Sequence, residues 1–388
     1  MRIVFLTIDR YPKLIHRGGM ELRAWQEYMS LVALGHEVHI VAVAPHDPLE
    51  EPLAAHAASI TTIPDRVGKR GSLEWLLEKA FNRETLILRL PNVHGHRDAV
   101  RRALDRIKPD LVWAEEQLTG VLVPDGMPFI LSHVDFFYRL MRVRSRYRKV
   151  RKPNTMTNAG LERFEYDLSR RARTTVVASE TDAELFQQRG ISASYIPVVG
   201  ATLPAPDRSQ LSSGRFFLFG TANTAMRAAR QHLRTELWPA LDPALQQDWH
   251  QVGNPPSQQS EGDPSWQWLA ERFTVHGFVG DLGPLFQFGD ASVMPYPIDA
   301  SGHAKYSVVM GYGLVNIGYE PGFRSTPELV GGENCIAAKT TEELVAAMRE
   351  YRADAKLRRR LAEASRATYE AKFSFEAQVK NFARVLAA

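Results

Sequence analysis

The chain has 388 residues, is 44% hydrophobic and 24% charged, and carries a formal net charge of +4. That length exceeds what one hydrophobic core usually organises, so two domains are expected, and the composition is that of a globular protein rather than a disordered or fibrous one. The single cysteine, Cys335, excludes internal disulfides and cysteine-rich metal sites, and no apolar run approaches the roughly 20 residues that a membrane-spanning helix needs.

Arg2–Thr7 reads as a buried strand, too short for a signal-peptide core and followed at once by Asp9 and Arg10. A cytoplasmic chain is the expectation. Gly18-Gly19 comes next, two flexible residues that let backbone N–H groups approach an anion where a helix begins. Arg17 and Glu21 flank the pair, placed to touch a substrate. The run is not G-x-G-x-x-G, so the dinucleotide fingerprint is absent. Leu22, Trp25, Tyr28, Met29 and Val32 give helical spacing over Met20–Ala33, and Gly35 ends that helix as a residue free to take positive φ. Strands follow at Glu37–Val43, Leu111–Ala114, Phe129–Ser132 and Thr174–Ala178, with helices at about 97–107, 161–172 and 180–189. His94 and His96 sit in a Gly-containing turn without a partner at ligand spacing, so no metal is expected.

Phe129-Ile-Leu-Ser-His-Val-Asp135 delivers His133 and Asp135 to a strand end, where an imidazole can hydrogen-bond a hydroxyl and a carboxylate can orient it. Then comes Arg139-Leu-Met-Arg-Val-Arg-Ser-Arg-Tyr-Arg-Lys-Val-Arg-Lys152, with eight basic residues and no acid. A solvated helix face would mix signs. Arg139 and its neighbours therefore suit an anionic partner or an anionic membrane surface. Nucleic acid is not expected, because no nucleic-acid-binding motif accompanies the run. Further on, Glu180 and Asp182 read as capping carboxylates at a helix N-terminus.

Strands separated by helices imply a parallel, doubly wound sheet whose ligands gather at the C-terminal strand edge. A Pro-, Ser- and Gly-rich stretch over 201–213 reads as a linker, and the alternation restarts with Phe216-Phe-Leu-Phe219. The fold class is therefore α/β: two Rossmann-like, doubly wound domains facing across a cleft, 1–200 and 214–372, with 373–388 as a final helix.

In the second half, Phe219-Gly-Thr-Ala-Asn-Thr224 ends a strand and opens a helix. Gly220, Thr221 and Asn223 present hydrogen-bond donors there, with Arg227 and Arg230 one and two turns further in. His276-Gly-Phe-Val-Gly-Asp281 follows a strand. Ala291-Ser-Val-Met-Pro295 is another, and Ser301-Gly-His-Ala-Lys305 opens a helix before Gly311-Tyr-Gly-Leu-Val-Asn-Ile317. The small residues Ser301 and Gly302 at a helix N-terminus offer free N–H groups to an anion, and Lys305 adds a compact positive charge suited to phosphate. Trp266 and Trp268 read as packing.

These segments, with Ala172-Arg-Thr-Thr-Val-Val-Ala-Ser-Glu-Thr-Asp182 leading to Tyr195-Ile-Pro197, resemble the retaining GT-B glycosyltransferases of family 4 over nearly the whole chain. The resemblance implies a nucleotide diphosphate sugar as co-substrate, no further cofactor and no metal. It puts Gly19, Gly220 and Arg227 beside the donor diphosphate. Phe278 and Val279 would read the base through their backbone, Lys305 would neutralise the leaving diphosphate, and His133 would orient the donor sugar. Arg17, Gly18, Glu21, Asp135 and Arg139 fall on the acceptor side, and the last helix is expected to cross back to the first domain. Many members carry two glutamates eight positions apart around this loop; aligned on Lys305, those places hold Ala300 and Val308. Neither binds a ribose hydroxyl, and Glu320 is the nearest substitute.

The reading is a glycosyltransferase that acts on a glycan, lipid-linked or natural-product acceptor, peripheral on the inner membrane face through the Arg139–Lys152 run. The alternative is a non-catalytic sugar-nucleotide or polyanion-binding protein on the same scaffold. An epimerase ranks third, since the His/Glu-rich site it needs is missing.

Overall fold

The computed structural model describes residues 1–13, 19–65, 93–133, 136, 138–139, 158–220, 224–253, 264–299 and 304–388. The described residues fall into two units, one running to Val198 and including Gln378–Ala388, the other spanning Val199–Ala377.

The first unit holds a seven-stranded parallel sheet. Its strands are β1 (Arg2–Ile8), β2 (Glu37–Val43), β3 (Ser59–Ile63), β4 (Leu111–Ala114), β5 (Phe129–His133), β6 (Thr174–Val177) and β7 (Ala193–Tyr195). They lie in the order β3-β2-β1-β4-β5-β6-β7. The central strands are buried on both faces, as continuous apolar runs such as Leu111-Val-Trp-Ala require. Helices α1 (Gly19–Ala33), α2 (Val93–Ile107), α3 (Asn158–Arg171) and α4 (Glu180–Gln187) make the crossovers. Gly35 takes φ +73° just past α1, the left-handed stop that its lack of a β-carbon permits.

Two expectations need correction. His94 and His96 lie in the first turn of α2, not in a turn between elements. Gly95 is tolerated there because first-turn N–H groups lack helical partners anyway, and His96 is buried with Nε2 at 3.1 Å from the Pro64 carbonyl. The N-cap of α4 is Ser179, whose hydroxyl accepts from the Asp182 amide at 3.3 Å. The Asp182 carboxylate instead pairs with Arg139, a stronger partner than a helix end.

The second unit holds a six-stranded parallel sheet in the order β10-β9-β8-β11-β12-β13. The strands are β8 (Phe216–Phe219), β9 (Trp249–Val252), β10 (Thr274–Gly277), β11 (Ala291–Met294), β12 (Val315–Tyr319) and β13 (Cys335–Ala338). Around it run α5 (Thr224–His232), α6 (Pro264–Ala270), α7 (Ala304–Gly311), α8 (Thr341–Ala353) and α9 (Ala355–Thr368). Cys335 is fully buried in this core, and Trp238, Trp249, Trp268 and Phe273 pack there as an aromatic cluster with ring centroids 5.1–6.1 Å apart. Arg366 on α9 donates to the carbonyls of Leu203 and Pro204 and so ties the linker to this unit.

The last helix, α10 (Phe375–Ala387), ends in the first unit. There Phe382 is fully buried with its ring 5.5 Å from Trp113. Burying a phenylalanine contributes about 2–3 kcal/mol, which anchors this helix end.

Candidate functional site

In each sheet the strand order reverses once, between β1 and β4 and between β8 and β11. Open parallel sheets bind ligands at the carboxyl edge of such switch points, because the flanking crossovers leave in opposite directions and open a crevice.

At the second switch point, Gly220 follows β8 and Lys305 lies in the first turn of α7, after β11. Gly220 takes φ +143°, and a β-carbon there would fall 2.6 Å from Lys305 Nζ. Its amide donates to Val252 O at 2.8 Å, and its carbonyl accepts from Gln251 Nε2 at 3.1 Å. Lys305 Nζ donates to the Tyr296 hydroxyl at 2.6 Å and contacts Met226 Sδ at 2.9 Å. Among the described residues no carboxylate forms an ion pair with it.

Lys305 is half-buried as a residue, with its ammonium enclosed. Burial and, secondly, the Arg230 charge lower its pKa to about 7. Arg230 on α5 is itself buried, with its guanidinium 5.7 Å from the Trp266 ring. Two positive charges held together in a dry place favour any anion that enters between them. Arg227, one turn earlier, is half-buried. The resemblance named Arg227, and helical spacing alone does not say which arginine points inward; the charge felt at Lys305 is that of Arg230.

Further along the same edge, Phe278 and Val279 follow β10. Phe278 is 44% exposed, while Val279 packs against a small apolar cluster that includes Phe217 and Phe286. Glu320 starts a short helix after β12 and is exposed. Val308 is half-buried on α7.

In the first unit, His133 ends β5 and is buried. Its ring stands 5.3 Å from Phe186, Nε2 lies 3.2 Å from Ser169 Oγ, and among the described residues Nδ1 has no hydrogen-bond partner. Burial lowers its pKa to about 3, so the ring is neutral at physiological pH. The preceding residue, Ser132, is locked to Glu27, a buried carboxylate that also accepts from Arg23 Nε at 2.6 Å and Trp113 Nε1 at 2.8 Å. Gly19 starts α1 with open space around it, and Glu21 lies 3.6 Å from Lys13.

The first switch point holds residues that sequence reasoning missed. Glu115 and Glu116 follow β4 and are buried, and Arg10 reaches Glu116 at 3.1 Å. Asp9 and Glu116 take φ +62° and +67°, strained values for non-glycine residues that tend to gather at functional edges. Thr7 Oγ1 lies 2.9 Å from the Arg10 carbonyl and 3.2 Å from Glu115 Oε2. A hydroxyl has a single hydrogen, so both contacts are satisfied only if the Glu115 carboxyl is protonated and donates to Thr7. Desolvation, then the Glu116 charge, raises the Glu115 pKa in the same sense. The available signal was the acidic pair closing the apolar run Leu111-Val-Trp-Ala-Glu-Glu116.

Arg17, Gly18, Asp135, Thr221, Asn223, Ser301 and Gly302 lie outside the described residues, as do Ala300 and the basic run beyond Arg139. Arg139 is described, and its guanidinium pairs with Asp182.

Residues 18–202 match the family model described as a glycosyl transferase 4-like domain. No curated protein matches the chain significantly. Among solved structures the chain is similar to the sucrose-phosphate synthase of Thermosynechococcus elongatus, with 18% identity and a TM-score of 0.69, covering 100% of this chain and 98% of that one. It is also similar to HepE of Anabaena solved with UDP and glucose, with 15% identity, a TM-score of 0.68 and 100% of both chains covered. For WaaG, a glycosyltransferase of lipopolysaccharide biosynthesis, the identity is 12% and the TM-score 0.59, covering 97% of this chain and 98% of that one. These likenesses give the same two-domain α/β fold.

Proposed function

We propose that this chain, whose residues 18–202 match a glycosyl transferase 4-like domain and whose fold is that of GT-B enzymes, is a glycosyltransferase resembling family 4 that moves a hexosyl or related sugar from a nucleotide diphosphate sugar with retained configuration and without a metal ion. The observation that carries the donor reading is Lys305, enclosed beside Tyr296, shifted by burial and Arg230, and given room by Gly220. A leaving diphosphate gains charge in the transition state, and a fixed cation in a water-poor site stabilises that charge more than it stabilises the ground state. HepE was solved with UDP and with UDP-glucose, which supports a nucleotide sugar as the donor here.

Phe278 lies two strands along the edge from Gly220, about 10 Å at the usual strand spacing. A nucleoside spans such a distance between base and diphosphate, so the base belongs at Phe278–Val279 and the diphosphate at Gly220–Lys305. Glu320, after β12, the strand beside β11, is the carboxylate offered to a sugar hydroxyl. The first unit takes a glycan, lipid-linked or natural-product acceptor, with Gly19 and Glu21 at the start of α1 and His133 Nδ1 as a hydrogen-bonding atom. The basic run from Arg139 to Lys152 provides peripheral contact with an anionic membrane. Among the described residues no helix is long and apolar enough to cross one.

The test is slow hydrolysis of UDP-, GDP-, dTDP- and CMP-sugars by wild type and Lys305→Ala. Turnover of one donor that falls about 10²–10³-fold in the variant is expected, by analogy with removing one oxyanion donor. A panel that shows neither turnover nor calorimetric binding overturns the donor site.

A further inference from the structure

The edge strand β10 carries an irregularity just before the loop assigned to the base. Val275 pairs with Gln251 and Gly277 with Val252, so His276 is an extra residue in the ladder. Gly277 absorbs the kink at φ +67°, and its carbonyl accepts from the Gly253 amide at 2.8 Å. Bulges of this kind re-aim a side chain and sharpen the local twist. Here the re-aimed ring meets His250 on β9, with Nε2 of His276 3.0 Å from Nδ1 of His250.

The neighbours decide which way that bond runs. His250 Nε2 lies 3.2 Å from the Asp248 carboxylate, which only accepts, so Nε2 carries the hydrogen. A neutral His250 then has a bare Nδ1, and His276 must donate from Nε2. His250 is further fixed by stacking on Phe217, with centroids 4.7 Å apart and planes 16° apart, and the His276 ring lies edge to edge with it, centroids 5.3 Å apart and planes 23° apart. Arg215 lies over the other end, 5.2 Å from the Phe217 ring, and is itself paired with Asp290. His250, itself held by Asp248 and Phe217, therefore fixes one bulge residue on a strand that has no further neighbour among the described residues.

We propose that His276, clasped by His250, is a positioning residue that sets the base-binding loop Phe278–Val279 and with it the affinity and selectivity for the nucleotide base. The inference rests on the donor reading above. An edge strand lacks ladder bonds on one side, so the side-chain bond supplies what β10 does not get from a neighbour. The diphosphate end at Gly220 and Lys305 is held separately, by the ends of β8 and β9 and by Tyr296.

The test is calorimetric titration of UDP, GDP, ADP and inorganic pyrophosphate into wild type, His276→Ala, His250→Phe and His276→Gln. Losing the clasp is expected to weaken the preferred nucleotide about tenfold, the worth of one net hydrogen bond, and to flatten the preference among bases. Pyrophosphate affinity is expected to stay unchanged. His276→Gln keeps an N–H donor on a side chain of similar reach and is expected to recover most of the affinity. Unchanged nucleotide affinity in His276→Ala overturns the proposal, as does an equal loss for nucleotide and pyrophosphate, which marks general damage to the sheet. A wild type that binds none of the four probes sinks the donor reading itself, and that outcome is distinct from a clasp that proves irrelevant.

Discussion

A β-carbon on Gly220 would fall 2.6 Å from Nζ of Lys305, so the end of β8 and the first turn of α7 fit together because residue 220 has no side chain. Gly220→Ala is therefore expected to displace the lysine and to strain a backbone held at φ +143°. The backbone cost is about 1–3 kcal/mol of stability, and donor turnover is expected to fall at least about tenfold. Steady-state kinetics beside urea denaturation separates the two effects. Wild-type turnover in this variant contradicts a role for the Gly220–Lys305 contact.

Lys305 ionises at about 7 in the free protein because burial and Arg230 both disfavour the ammonium. A bound diphosphate reverses that preference. At pH 8 the free lysine is largely neutral, so nucleotide binding is expected to take up close to one proton. The uptake shrinks below about pH 6, where the lysine is already charged. Calorimetry in HEPES and in Tris, whose ionisation enthalpies differ, reads the proton count directly. Binding without uptake at pH 8 rules out an ammonium–diphosphate contact, and Lys305→Met is expected to abolish the buffer dependence.

His133 is buried neutral, with its pKa lowered to about 3 from 6.5. The unfolded chain binds a proton at this residue below pH 6.5 and the folded chain does not. Stability from this group is therefore complete above pH 6.5 and is lost as the pH falls toward 3, at up to about 1.4 kcal/mol per pH unit. Between pH 7 and pH 4, His133→Phe is expected to lose roughly 3 kcal/mol less stability than wild type by urea denaturation. Parallel acid curves for the two proteins are incompatible with a buried neutral imidazole.

Glu115 gives the opposite sign. Its carboxyl is held protonated by burial and by Glu116, so the folded state binds the extra proton above pH 4.5. Its contribution is greatest below the unfolded value and declines as the pH rises through the raised folded one. Glu115→Gln, which is neutral at every pH and similar in shape, is expected to gain about 1 kcal/mol over wild type at pH 8 and nothing at pH 4. Destabilisation by this variant at pH 8 would mean that the native carboxyl is ionised.

The architecture and most of the strand ends that matter are legible along the chain. Apolar runs such as Ile3–Leu6 and Phe216–Phe219 declare buried strands, and amphipathic spacing between them declares crossover helices, because each pattern reports directly which faces lose water. Short strands with polar or small residues, Ser59–Ile63, Trp249–Val252 and Ala193–Tyr195, gave no such run and went unread. Gly220, His133 and Lys305 could be singled out because a strand end or helix start is a local event. Their partners could not. Tyr296 against Lys305, Thr7 against Glu115 and His250 against His276 depend on strand order and on a one-residue bulge. Periodicity along a chain carries no record of which strand lies beside which, so these contacts arise only on folding, and with them the raised pKa of Glu115, the lowered pKa of Lys305 and the His250–His276 contact on β10.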